Sequence, residues 1–273
     1  MINIKTKDQI EKMKIGGHIL AEVLFEVMAN IKPGVSELEL DQLAEKLILE
    51  KGGEPGFKKV AGYKYTICVS TNNVVVHGIP TGYKFKEGDV VGVDCGVYYK
   101  GFHTDMAETL CVSTQNSKLP LRPPRLGEAG SEASKVQSSD EIDKFLKIGK
   151  KALEEGIKVA KVGNRVGNIS KTIQDIVEGS GYSIVRSLVG HGVGKYLHEE
   201  PEVPGFLIEP MSQTPKLIEG MTIAIEVIYN LGGKEVVYSN DDGWTISTAD
   251  GSTSGLFERT VEITDNVPAV LTK

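Results

Sequence analysis

The chain has 273 residues, 40% of them hydrophobic and 25% charged, with a formal net charge of −6 at pH 7. That length supports one large domain or two small ones, and the acidic balance argues against nucleic acid as the main partner. No run approaches the roughly 18 apolar residues of a membrane span, and the first residues lack the apolar core of a signal peptide. Cys68, Cys95 and Cys111 are odd in number and lie in apolar segments without a CxxC pair, as expected of reduced thiols in a cytoplasm.

In chain order, Thr6 and Gln9 have capping-box spacing and open a first helix. Its apolar stripe runs through Ile10, Met13, Gly17, Leu20, Leu24 and Val27, with His18 beside it as a partly buried structural histidine. Lys32-Pro33-Gly34 breaks it, Ser36 and Glu39 cap a second helix, and Gly52-Gly53 end that one. The period then becomes that of strands over Thr66–Val76, Val90–Val97 and Phe102–Val112. Between Ser113 and Ser139 prolines, glycines and serines replace any period, which reads as a loop insertion. Ser138 and Glu141 cap a third helix carrying Ile142, Phe145, Leu146, Ala152 and Leu153. A fourth carries Ile169, Ile173, Ile176 and Val177 and stops at residues 179–181. Strands follow over Ser183–Val189, Met221–Tyr229, Lys234–Tyr238, Trp244–Thr248 and Leu256–Thr264.

Two helices and then strands, twice over, read as an internal duplication. Gly34 answers Gly163 at an offset of 129 residues, and at that offset Leu40 meets Ile169, Leu47 meets Ile176 and Gly52 meets Gly181. The expected architecture is α+β: one catalytic-size domain over residues 1–273, a pseudo-twofold antiparallel sheet with four helices on one face and a cleft between the halves.

Three constellations carry chemistry. If Tyr99-Lys100 form a hairpin turn, Asp94 and Asp105 face each other on one side of the sheet, where opposed carboxylates repel unless a cation compensates them. The other reading is a longer loop that lets each Asp reach solvent. Glu226 and Glu258 sit inside apolar strands, whereas Glu262 reads as surface. His191 and His198 lie in a glycine-rich stretch, Gly190-His-Gly-Val-Gly194 followed by His198-Glu-Glu-Pro201. Four strand-borne carboxylates and a histidine form the oxygen-rich donor set of paired divalent metals. A phosphate-loop reading of Gly190–Lys195 fails, because the spacing is one residue short and Tyr196 replaces the Ser or Thr.

Val76-His77-Gly-Ile-Pro80, Asp94, Asp105, the two histidine motifs, Glu226 and Glu258 together resemble the ordered motif series of type I methionine aminopeptidases, over essentially the whole chain except the insertion. That resemblance implies the pita-bread fold and removal of initiator methionine when residue two is small. It implies two divalent metals held by Asp94, Asp105, His191, Glu226 and Glu258, with Asp105 and Glu258 bridging. His77 and His198 would face the scissile peptide, and Glu226 would help move the proton of a metal-activated water. Tyr63, Cys68, His77, Leu197 and Trp244 would surround the methionine side chain. The implied partners are N-termini of nascent polypeptides in the cytoplasm, where the ribosome presents them, with a monomer as the default state. Leu197 departs from the usual aromatic, Val227 from the proline after Glu226, and Arg259 from the histidine after Glu258. The rival readings are an Xaa-Pro peptidase of the same fold and a non-enzymatic binding module built on it.

Overall fold

The computed structural model describes residues 2–113 and 137–273, so the body of the expected insertion, residues 114–136, lies outside the described residues. Helix α1 (Lys7–Ala29) starts at the predicted capping box, with the Thr6 hydroxyl accepting from the Gln9 N–H and the Gln9 side chain accepting from the Thr6 N–H. Helix α2 (Glu37–Glu50) starts at the second box, from Ser36 and Glu39. Strands β1 (Glu54–Pro55), β2 (Ile67–Thr71), β3 (Val74–Val76), β4 (Val90–Tyr99) and β5 (Phe102–Cys111) follow. Helices α3 (Gln137–Lys158) and α4 (Val166–Glu178) open the second half. Strands β6 (Ser183–Ile184), β7 (Gly190–Gly192), β8 (Glu199–Val203), β9 (Thr222–Asn230), β10 (Val236–Tyr238), β11 (Ile246–Thr248), β12 (Ser254–Glu262) and β13 (Ala269–Val270) complete the chain.

The large antiparallel sheet runs β1-β4-β5-β12-β9-β7-β8, with β2 also on β4, β6 also on β9 and β13 on β12. The long hairpin strands β4 and β5 belong to the first half, β9 and β12 to the second, and β5 meets β12 at the seam. Strand alternation sorts the side chains cleanly. Val91, Val93, Cys95, Val97 and Met106 join Leu20, Leu24, Leu40 and Ile48 of α1 and α2 in one buried core. Ile223, Ile225, Val227, Tyr229 and Phe257 join Phe145, Leu153, Ile169 and Ile173 of α3 and α4 in another. All four helices therefore cover one face of the sheet, and the intervening residues of the same strands point to the other. The duplication extends to backbone detail: Gly34 and Gly163 hold φ values of +91° and +92°, and Gly52 and Gly181 are likewise left-handed.

Several sequence expectations need correction. The β4–β5 turn is Lys100-Gly101, both with positive φ, so Tyr99 pairs with Phe102. Asp94 consequently opposes Ala107 and Asp105 opposes Gly96; the two aspartates share a face as diagonal neighbours, not as a direct pair. The directly opposed carboxylates are Glu226 and Glu258. Helix α3 is already under way at Ser138, so Ser138 and Glu141 do not mark its start. Thr66–Val76 is two strands, bent at residues 72–73, and Glu199–Val203, which is not among the expected strands, is a strand. His18 is exposed, with its Nε2 3.2 Å from Glu22 Oε1.

A candidate metal centre in the sheet face opposite the helices

Across the open face of the sheet runs a row set by register: Asp94 on β4, Ala107 on β5, Glu258 on β12 and Glu226 on β9, each directly opposite the next. Asp105 stands two residues along β5 from Ala107, on the same face. His191 on β7 pairs with Ala224, two residues from Glu226, and so joins the group. Ligand atoms of Asp105, His191 and Glu258 all lie within 4.8 Å of one another. The structure thus brings together all five residues expected to hold metal.

Burial and mutual repulsion dominate the electrostatics. Burial, then the neighbouring carboxylates, pushes Asp105 and Glu226 each up to about 8 and Asp94 and Glu258 well above the carboxylate range. Asp94 Oδ1 and Glu258 Oε1 are buried without a hydrogen-bond partner among the described residues. Unpaired buried carboxylates are expensive, and a divalent cation relieves both the repulsion and the orphaned oxygens. Four carboxylates and one imidazole suit hard or borderline divalent ions, so the residues present fit the group. His191 is prepared in the same sense. Burial, then His198, pulls it down to about 4, which keeps it neutral, and its Nδ1 lies 2.9 Å from the Gly192 carbonyl. That contact assigns the proton to Nδ1 and leaves Nε2 as the free ligand atom.

The carboxylates floor a cleft of about 600 Å³. His77 and His198 stand on its wall, both held below the usual histidine range by burial. His77 caps β3 with φ +55°, a left-handed conformation that costs a non-glycine residue about 1 kcal/mol or more. Gly78 makes this placement feasible, since a Cβ there would lie 2.0 Å from the Val69 carbonyl oxygen. The rings of His191 and His198 sit 4.4 Å apart in a T-shaped contact.

Tyr63, Cys68, Leu197 and Trp244 line one end of the cleft together with His77. The Tyr63 hydroxyl donates to the Ile67 carbonyl at 2.8 Å and lies 3.1 Å from Cys68 Sγ, and its ring packs edge-on to Trp244 at 5.1 Å. Asp242 accepts from the N–H groups of Trp244 and Thr245, both at 2.8 Å, which fixes the entry to β11. Phe57 and Val60 also line this pocket and were missed in the sequence. Gly96 shares the sheet face of Asp94, and a Cβ there would strike the Phe57 ring at 2.7 Å, so the missing side chain makes room for Phe57; a lone glycine in a strand does not say what approaches it. Of the departures from the family pattern, Leu197 is buried in the pocket wall and Val227 in the second helix-side core. Arg259 points to the helix side and ion-pairs with Glu108 across the seam.

A cleft over clustered buried carboxylates, on a duplicated antiparallel sheet, defines a metallopeptidase-like site, and residues 11–267 match the model of metallopeptidase family M24. The chain belongs to that family. Its full-length relatives include methionine aminopeptidases of Clostridium perfringens, 40% identical over 272 residues covering 100% of this chain and 99% of its relative, and of Borreliella burgdorferi, 41% identical, covering 100% and 98%. The crystal structure of methionine aminopeptidase from Thermotoga maritima superposes with a TM-score of 0.86 at 38% identity, covering 100% of each chain.

Proposed function

We propose that this chain is a methionine aminopeptidase that hydrolyses the peptide bond after an N-terminal methionine when the second residue is small. The observation that carries the reading is the row of buried, mutually repelling carboxylates beside an apolar, sulfur- and aromatic-lined pocket. Asp94, Asp105, His191, Glu226 and Glu258 would hold two divalent cations, which supply a water activated at neutral pH and a polarised carbonyl. Tyr63, Cys68, Leu197 and Trp244 hold the methionine side chain, where aromatic and sulfur contacts suit a polarizable thioether. His77 and His198, neutral near pH 7, donate hydrogen bonds to the scissile peptide as charge develops on its oxygen and nitrogen. Glu226, at the His191 end of the row, carries the proton towards the leaving amine. The natural substrates are then N-termini of nascent polypeptides in the cytoplasm, acted on by a single catalytic domain working as a monomer. Among the described residues no helix is long and apolar enough to cross a membrane.

Release of methionine from Met-Ala-Ser should appear only after adding Mn²⁺, Co²⁺ or Fe²⁺ to the chelated protein. Turnover that survives chelation sinks the metal-dependent mechanism. Cleavage of Ala-Pro peptides alone would move the protein to the Xaa-Pro peptidases, and no cleavage of either to a binding role.

A further inference from the structure

Residues 2–6 precede α1, and at Ile4 and Lys5 burial is the reverse of polarity. Ile4 is 48% exposed, whereas the Lys5 side chain is 4% exposed. Lys5 Nζ lies 2.6 Å from Glu199 Oε2, and the Glu199 side chain is 2% exposed. Both partners are held from several sides. Lys5 Nζ also donates to the Asn3 carbonyl at 3.2 Å, and the Lys5 backbone N–H to the Gly220 carbonyl at 2.9 Å. Glu199 also accepts from the Tyr196 backbone N–H at 3.1 Å and from Asn3 Nδ2 at 3.3 Å. The lysine stem crosses Gly194, where a Cβ would meet Lys5 Cε at 2.3 Å, so the missing side chain leaves the passage open.

A buried ion pair is a weak route to stability, because a well-packed apolar pair of similar volume does as well or better. The place of this one points to another use. Glu199 directly follows His198, lines the cleft, and pairs through its backbone with Gly192, the neighbour of His191. Burial acts to raise the Glu199 carboxyl, yet hydrogen bonds from Lys5 and the Tyr196 N–H hold it below its ordinary range, and the contacts from Lys5, Asn3 and Tyr196 lock it in place. The turn between β7 and β8, which carries His198, is thereby anchored at Glu199 to a segment lying outside the sheet.

We infer that Lys5 is a positioning residue: its ammonium, delivered by the strap ahead of α1, locks Glu199 and so fixes the His198 imidazole in the cleft. This rests on the peptidase reading, in which His198 faces the substrate. The test compares Lys5→Met and Lys5→Arg, each in the native and the His198→Ala backgrounds, on Met-Ala-Ser with Mn²⁺. Lys5→Met should lower kcat by about 10- to 100-fold, the effect of a misplaced group, with KM moving less than about threefold. Lys5→Arg should recover part of the loss. In the His198→Ala background Lys5→Met should lower kcat no further; an equal loss in both backgrounds, or a lowered melting temperature with unchanged kcat, overturns the inference. Amide hydrogen exchange of the metal-free protein gives a readout without turnover. In Lys5→Met residues 193–199 should exchange at least about tenfold faster while β4 and β9 hold their protection, and unchanged exchange in the turn also overturns it. A native protein inactive on every methionyl peptide would refute the peptidase reading, and the exchange measurement would still decide whether the strap holds the turn.

Discussion

Stripping divalent ions with a chelator and raising the pH from about 6.5 to about 8 should loosen this protein, against the usual expectation that carboxylates are best accommodated when ionised. Asp105 and Glu226 stand at about 8 in the folded chain, against ordinary values of 3.8 and 4.5. In this window each holds a proton when folded and releases it when unfolded. The stability tied to that proton is full below the unfolded value and is lost as pH rises through the folded value near 8. His191, at about 4 when folded against an ordinary 6.5, is neutral in both states above about pH 6.5 and adds little opposing slope. Divalent ions should reverse the trend, because protons compete with them for the same oxygens. At a free concentration about 1,000 times Kd, Mn²⁺ contributes ~4 kcal/mol, which at roughly 2 °C per kcal/mol raises Tm by about 8 °C. Calorimetry at the two pH values, with chelator and with Mn²⁺, measures both effects. A metal-free Tm that climbs with pH, together with no gain from Mn²⁺, would refute the crowded-carboxylate account.

Three further outcomes follow from the same geometry. Asp94→Asn should lower metal affinity and activity by more than about 100-fold, yet raise the Tm of the metal-free protein, since one repelling carboxylate is gone; retained Mn²⁺ binding by titration calorimetry would contradict it. Gly78→Ala drives a methyl group into the Val69 carbonyl and should cost about tenfold or more in kcat/KM through His77 while Mn²⁺ still binds. Full activity of that variant would show that His77 does not depend on this close approach. Arg259→Met leaves Glu108 with only Lys150, 3.5 Å away, among the pairings described, and should destabilise the fold by about 3 kcal/mol in urea; a change below about 0.5 kcal/mol would mean that the pair carries no weight.

Both amino-terminal capping boxes and the shared face of Asp94 and Asp105 were legible in the sequence, because capping chemistry and period-two alternation are local; that His191 lies on a strand, β7, was not. Nor was register. Lys100 occupies a left-handed position that Asn or Gly usually fills, so the two-residue Lys100-Gly101 turn was placed one residue early. The error left Asp94 and Asp105 on the correct face, since shifting a turn by one residue moves the partner number by two and preserves parity. Strand β8 was hidden by Pro201 and Pro204, although it lies at the sheet edge where prolines are tolerated. Lys5 gave no signal at all: an isolated lysine before a helix reads as solvated, and only the fold reveals the glutamate 194 residues away that buries it.

The seam between β5 and β12 joins two halves that each pack against their own helices. On the helix side Arg259 and Glu108 span it; on the open side Asp105 stands on one bank and His191 and Glu258 on the other. An ion shared among those three would act as a rivet opposite an existing one, so that the halves could part only by breaking fastenings on both surfaces of the sheet. Metal loading should therefore bear on whether the two halves unfold together or in turn, as well as on whether the cleft works.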